Sequence, residues 1–263
     1  MIDTDSQHLK DAAVRAAVLS CKELPIMKHT KLFRGLFYGL GLLILALGLT
    51  LNTKTGLGTS AIISVPYSIS VIWNLNFGNV TLVVYLIFIT AQLLLHCIPY
   101  RKQVQTGKPA ANRRRLLLFD LLQFPLSLLF TRFLNFFSSI FPGCEAAPMP
   151  LRLLILALAI TLTGIGAAMS LDMRLVPNPG DGIVQAIADT AGKNIGFTKN
   201  CFDLANITVT AAISLLLTQR LVGVGIGTVA AVLGVGRIIA LYHRICGRQI
   251  RILAGMEAPG LSR

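Results

Sequence analysis

The chain has 263 residues, 54% of them hydrophobic and 13% charged, with a formal net charge of +13 and a mean hydropathy of +0.70. A soluble domain carries about 25% charged residues. The runs without Asp, Glu, Lys or Arg between Lys54 and Arg101, and between Arg152 and Asp172, exclude that class and imply an all-α, polytopic membrane helix bundle. The basic excess lies at helix ends and in loops without interleaved aromatics, which fits the positive-inside bias of membrane proteins and not nucleic-acid binding.

Residues 1–30 mix Asp3, Asp5, Asp11 and Glu23 with bases, so they do not read as a secretory signal. A cytosolic tail is expected, with Ser6 capping a short helix that ends at Pro25. The first span is predicted over about 32–53. A loop follows at Lys54–Ser60. A short apolar piece, 59–73, is interrupted by Pro66 and covers about 22 Å, less than the ~30 Å hydrocarbon core. A full span is predicted over 80–98, then a basic loop with Arg101, Lys102, Lys108, Arg113, Arg114 and Arg115, then a span over 116–136. The loop Phe141–Pro150 holds one acid and no base.

The second half repeats this order. A span over 151–171 leads to the turn Asn178-Pro179-Gly180-Asp181-Gly182, rich in turn and cap residues. A helix over 181–191, about 15 Å long, is broken at Gly192–Gly196. Spans over 197–218 and 223–242 precede a basic tail. Overlaid at an offset of 118 residues, Arg34 meets Arg152, Gly48 meets Gly166, and Gly78 meets Gly196. This predicts an internal duplication: repeat 1 over 31–140, repeat 2 over 150–246, and a tail over 247–263.

Orientation selects the kind of repeat. If both short helices spanned, the Arg101–Arg115 loop would lie outside, against the positive-inside rule. If both re-enter, each half has three spans, the halves are inverted, and both termini and the basic loop are cytosolic. Irregular backbone at membrane depth must be buried in protein or line a wet cavity, so the lips of the short helices become the candidate site.

Lys54-Thr55-Gly56-Leu57-Gly58-Thr59-Ser60 resembles the first signature of the YczE/YitT-type bacterial integral membrane proteins. Pro179-Gly180-Asp181-Gly182 resembles the second. Gly223-Val224-Gly225-Ile226-Gly227-Thr228 resembles their glycine-rich opening of the final helix, and Gly78 and Gly196 match helix starts after the short helices. The resemblance covers roughly residues 32–245 and implies a bacterial inner-membrane location and a transport role, with no established substrate. The first copy departs from the pattern: Ala61-Ile62-Ile63-Ser64 stands where Pro-x-Asp is common.

Asp181 is expected to be a proton or cation site at a half-helix start, or alternatively a plain N-terminal cap. Asn178, Gly180 and Gly182 complete that lip, and Gly58 and Ser60 form the other. Asn200, Asp203 and Asn206 recur every three residues and line a cavity or form a polar seam. Arg237 either pairs with Asp203 or Asp181 or snorkels at the cytosolic end. Arg132 is expected to snorkel, and Asp120 to pair at the interface with Arg113–Arg115. Gln92 and His96 lack a third metal ligand, so His96 reads as interfacial.

There is no Walker motif, nucleophile elbow, HExxH or heme-attachment run, so neither enzyme activity nor a cofactor or metal is expected. The expected partners are the lipid bilayer and a small polar solute, proton or cation; a homo-oligomer has no support in the sequence. The function expected is a secondary transporter or facilitator. The alternative is a membrane scaffold that binds a cytosolic partner or anionic lipid through its basic segments. Topology separates re-entry from full spanning. A membrane-impermeant thiol reagent should label Cys144 from outside, and a Lys108→Cys variant only from inside. External labelling at position 108 would remove the re-entrant arrangement.

Overall fold

The computed structural model describes residues 31–105 and 113–255, without the side chains of residues 98–105, 113–116 and 248. The expected N-terminal tail, the centre of the basic loop with Lys108, and the end of the C-terminal tail lie outside these residues. Among them every regular element is a helix. The helices are α1 (Lys31–Lys54), α2 (Ala61–Ile72), α3 (Phe77–Gln105), α4 (Arg113–Ile140), α5 (Met149–Asp172), α6 (Pro179–Ala191), α7 (Ile195–Thr218) and α8 (Ile226–Tyr242). A π-helical turn, His243–Gly247, leads into α9 (Arg248–Leu253).

Six of these helices are long and apolar enough to cross a membrane, and α2 is a shorter apolar helix. The chain is therefore a multi-pass helical membrane protein by length and composition. The outward faces carry large apolar residues such as Leu36, Leu94, Leu154 and Leu216, as lipid contact demands. Two short-helix boundaries differ from expectation. Pro66 lies inside a continuous α2; it removes one backbone donor, but a membrane helix packed against neighbours tolerates this loss. α6 begins at Pro179 and not at Asp181, because proline's fixed φ suits a first helical turn.

The 118-residue offset holds for the elements themselves. Lys31 and Met149 open α1 and α5, Lys54 and Asp172 close them, Ala61 and Pro179 open α2 and α6, and Phe77 and Ile195 open α3 and α7. Left-handed backbone recurs at the same offset, at Gly56 and Arg174 and at Asn74 and Gly192. These four residues break the chain between a long helix and a short one, or between a short helix and the next long one.

The two halves are joined by reciprocal contacts. A Cβ on Gly48 would lie 2.5 Å from the Thr163 backbone nitrogen, and one on Gly166 would lie 2.4 Å from that of Leu45. Positions 45 and 163 are themselves offset partners, so each helix presents its glycine to the other's backbone. Gly41, seven residues before Gly48, lies against Ser170, seven residues after Thr163. The two helices therefore cross antiparallel at backbone contact, which small residues permit.

Hydrogen bonds fix the ends. At one end Arg34 Nη2 donates to the Met173 carbonyl at 2.7 Å; at the other Arg152 Nε donates to the Thr55 carbonyl at 2.8 Å. Arg34 and Arg152 are offset partners, as are Thr55 and Met173. Lys54 Nζ reaches the Ser138 carbonyl at 2.9 Å, so α1 and α4 finish at the same end. α3 returns antiparallel to α4: the Gly78 amide donates to Asn135 Oδ1, while His96 meets Asp120 near the opposite end.

The short helices dock on the long helix of the other half. Ser64 Oγ and Thr210 Oγ1 are 2.8 Å apart, as are Ser68 Oγ and Ser214 Oγ. α2 thus runs parallel to the second half of α7, and its first residue stands abreast of that helix's centre. α6 runs parallel to α3 in the same way: Asn178 Nδ2 donates to the Tyr85 hydroxyl at 3.4 Å, and Gly182 abuts Gln92. Residues 55–60 and 173–178 therefore carry the chain from each end to mid-depth, and the short helices carry it back. Their starts touch at Ile62 and Gly180, where a Cβ on Gly180 would lie 2.3 Å from Ile62 Cδ1.

Filling the α1–α5 crossing should cost about 1–3 kcal/mol, as overpacking does. Gly166→Ala is expected to lower the unfolding midpoint in detergent. Gly35→Ala, with nothing within 4 Å of the added carbon, should leave it unchanged or raise it. Equal midpoints would contradict this crossing.

Candidate functional site

The start of α6 follows from its sequence. Asn178 takes the N-cap position with extended backbone, Pro179 supplies the first helical residue, and the amides of Asp181 and Gly182 bond to the Asn178 carbonyl at 2.9 and 2.8 Å. The Asn178 side chain does not cap the helix; it reaches Tyr85, which is fully buried. Ser60 likewise sits at the N-cap of α2 without a side-chain cap bond. Both half-helix starts thus keep first-turn amides without a side-chain acceptor, and the positive helix end is left for nearby carboxylates.

Asp181 is such a carboxylate. It faces α7, where Lys199 Nζ lies 3.7 Å from Asp181 Oδ1 and 4.0 Å from Asp203 Oδ2. Both separations exceed a good hydrogen bond, so the ammonium is held between two carboxylates by charge and not by tight geometry. The Asp203 side chain is 10% exposed, against 39% for Lys199 and 30% for Asp181. The cluster therefore grades from a buried acid to a partly open one.

Three of the expected residues fall elsewhere. Arg237 is exposed on α8, one and a half turns before Tyr242, and Lys199 stands where it was expected as the counter-charge. Asn200 is exposed. The buried polar face of α7 is instead Thr198, Asp203, Asn206, Thr210 and Ser214, and the Asn206 side chain donates to its own helix at the Phe202 carbonyl. Gly58 adopts φ +115° and lies against Gly225 and Thr228 at the start of α8. There the Gly227 amide donates to the Leu57 carbonyl at 2.8 Å, and the Thr59 amide to that of Gly223 at 2.9 Å. The lip of α2 is thus knitted to the α7–α8 loop, while the lip of α6 meets side chains.

A second polar cluster differs most from expectation. Asp120 is 2% exposed, one turn inside the α4 span. It accepts from Gln92 Nε2, and its other oxygen lies 2.7 Å from His96 Nδ1. The antiparallel run of α3 and α4 brings residues 92–96 abreast of residue 120; its expected pairing with Arg113–Arg115 lies outside the described side chains. Gln123 completes the cluster, fully buried. Arg132 is exposed and donates to Asn79 Oδ1 at 3.3 Å. Among the described residues no three His, Cys, Asp or Glu side chains gather as a metal site.

The fold and these clusters define a helical membrane protein with buried charge close to broken helices. The chain belongs to a family whose model is described as a family of unknown function (DUF6198) and matches residues 32–244. No curated protein and no solved structure matches the chain.

Lys199 is a hinge of this cluster and Arg237 is not. Lys199→Met should lower the unfolding midpoint, because it leaves Asp203 with no cation in a poorly hydrated place. Arg237→Met should leave the midpoint within experimental scatter. Equal losses in the two variants would remove Lys199 from this role.

Proposed function

We propose that the protein is a secondary transporter or facilitator of a small polar solute in a bacterial inner membrane. In this reading it is built from two inverted repeats of three spans and one re-entrant half-helix, with both termini cytosolic. The observation that carries it is the meeting of the two half-helices at Ile62 and Gly180, beside Asp181, Lys199 and Asp203. Discontinuous helices that point their starts at mid-depth are a recurrent transporter device. Intramembrane ionisable residues are functional by default, since their burial is costly.

Two vestibules support the same reading. One, of about 490 Å³, is lined by Thr53, Lys54, Tyr67, Ser70 and Glu145. The other, of about 330 Å³, is lined by Ser170, Arg174, Asn178 and Gln185. Their linings come from opposite ends of the α1–α5 pair, one at Thr53 and Lys54 and the other at Ser170. The kinship with YczE/YitT-type proteins, carried by the motifs at Lys54–Ser60, Pro179–Gly182 and Gly223–Thr228, belongs to this proposal and points the same way. Asp181 and Asp203 would give proton or cation sensitivity, with Lys199 as the internal cation that a passing charge must compete with.

The test is an uptake screen over small polar solutes with the purified chain in proteoliposomes. For a solute that is taken up, Asp181→Asn should reduce the rate at least tenfold while insertion and the unfolding midpoint persist. Wild-type uptake in that variant would remove Asp181 from the mechanism. Failure to move any solute, with intact folding, would remove transport itself.

A further inference from the structure

α3, α4 and α6 enclose a cavity of about 170 Å³ that adjoins the second vestibule at Pro177 and Gln185. Its floor is Gln92 and Gln123, its wall is the His96–Asp120 pair, and its mouth is Gln185 and Asp189, both exposed on α6. The volume equals several waters at about 30 Å³ each and suits a solute of a few heavy atoms.

The floor has unused hydrogen-bonding capacity. Gln92 Oε1 and both amide atoms of Gln123 are buried without a partner. The orientation of Gln92 follows from chemistry. A carboxylate only accepts, so the atom of Gln92 bonded to Asp120 is its NH₂ group, and its carbonyl oxygen is the one left over. The same reasoning sets His96. Its Nδ1 carries the proton shared with Asp120, so in the neutral ring Nε2 is an acceptor. Gln123 is unbonded at both ends and can turn its carbonyl inward.

The lining is thus rich in acceptors. Among the described residues it also contains two carboxylates, Asp120 and Asp189, and neither lysine nor arginine. A positively charged donor of N–H bonds finds carbonyls and acids together there. Gly182 keeps the space open: a Cβ at that position would lie 2.6 Å from Gln92 Oε1 and 3.0 Å from Gln123 Nε2. A glycine in a helix interior is unfavourable to helix stability, and here its missing side chain leaves room above the two amides.

We propose that this cavity, floored by Gln92 and Gln123 beside the His96–Asp120 pair, binds a small N–H-donating cation of the ammonium or primary-amine class. The site lies about a quarter-turn round α6 from Asp181, on the side that meets α3 and α4, and its occupancy is a binding property that stands or falls apart from uptake.

Calorimetric titration of the purified full chain in detergent tests it, with methylammonium chloride as the probe and tetramethylammonium and sodium chloride as controls. Methylammonium should bind saturably, and the two ions that lack N–H should not. Gln123→Leu should weaken methylammonium at least tenfold while the unfolding midpoint holds or rises, because the substitution removes an unpartnered buried amide. Gly182→Ala should weaken it too, by occupying the space, and supplies the answer should Gln123→Leu fail to fold. Arg237→Met, at an exposed position on α8, should leave methylammonium binding as in the wild type. No saturable binding, or equal binding of tetramethylammonium, would mean that the cavity holds water only. Unchanged binding in Gln123→Leu, or in Gly182→Ala where that variant is the one read, would overturn the site.

Discussion

Residues 55–60 and 173–178 are non-helical backbone inside a helical membrane bundle, and every amide and carbonyl they bring to depth needs a partner. Some are local, as where the Leu57 amide uses the Thr55 hydroxyl and the Arg174 amide the Leu171 carbonyl, and others come from the opposite half of the chain. Arg34 donates to the carbonyl of Met173, Arg152 to that of Thr55, and Tyr38 to that of Val176. The Thr59 amide and hydroxyl both use the Gly223 carbonyl. Neither loop is satisfied within its own half, so neither half holds its short helix in place alone. The antiparallel crossing of α1 and α5 supplies the proximity: without Gly48 and Gly166 at backbone contact, each arginine would miss the carbonyl it serves.

This interdependence places the chemistry. The short helices are held against α3 and α7 by Ser64–Thr210, Ser68–Ser214 and Asn178–Tyr85, which are modest bonds between small polar groups. Such bonds contribute about 0.6–2 kcal/mol each in membranes. That strength is enough to hold a half-helix in register. The charged cluster at Asp181, Lys199 and Asp203 sits on the side of α6 that meets α7, and the amide-lined cavity on the adjoining side that meets α3 and α4. A shift of α6 would therefore alter both at once.

Much of this was legible in the residues. Helix lengths, the charge-free runs and the 118-residue offset predicted the element order and the short helices. Asp181 and Asp203 stood out as acids among apolar neighbours, and the structure brings both to one lysine. Lys199 carries a readable signal in its i, i+4 spacing to Asp203 on a predicted helix, yet it is not among the expected site residues. The Gln92–His96–Asp120–Gln123 cluster was not legible, because it needs the antiparallel register of α3 and α4. Each of its members alone, five to nine residues from a basic loop, reads as a membrane-surface residue. Arg237 illustrates the converse: a lone guanidinium in a span invites a buried partner, but an exposed face of α8 removes the need for one.

Ile62 and Gly180 are equivalent under the offset, and they touch. A position that faces its own counterpart has a single volume to divide between two side chains. Two isoleucines would collide there and two glycines would leave a void, so a large residue on one side obliges a small one on the other. The two halves cannot share one sequence at this point, however alike they are elsewhere. Divergence at the junction is then a packing requirement: the half that gives up its side chain gains a bare, backbone-lined helix start, and that half is the one bearing Asp181.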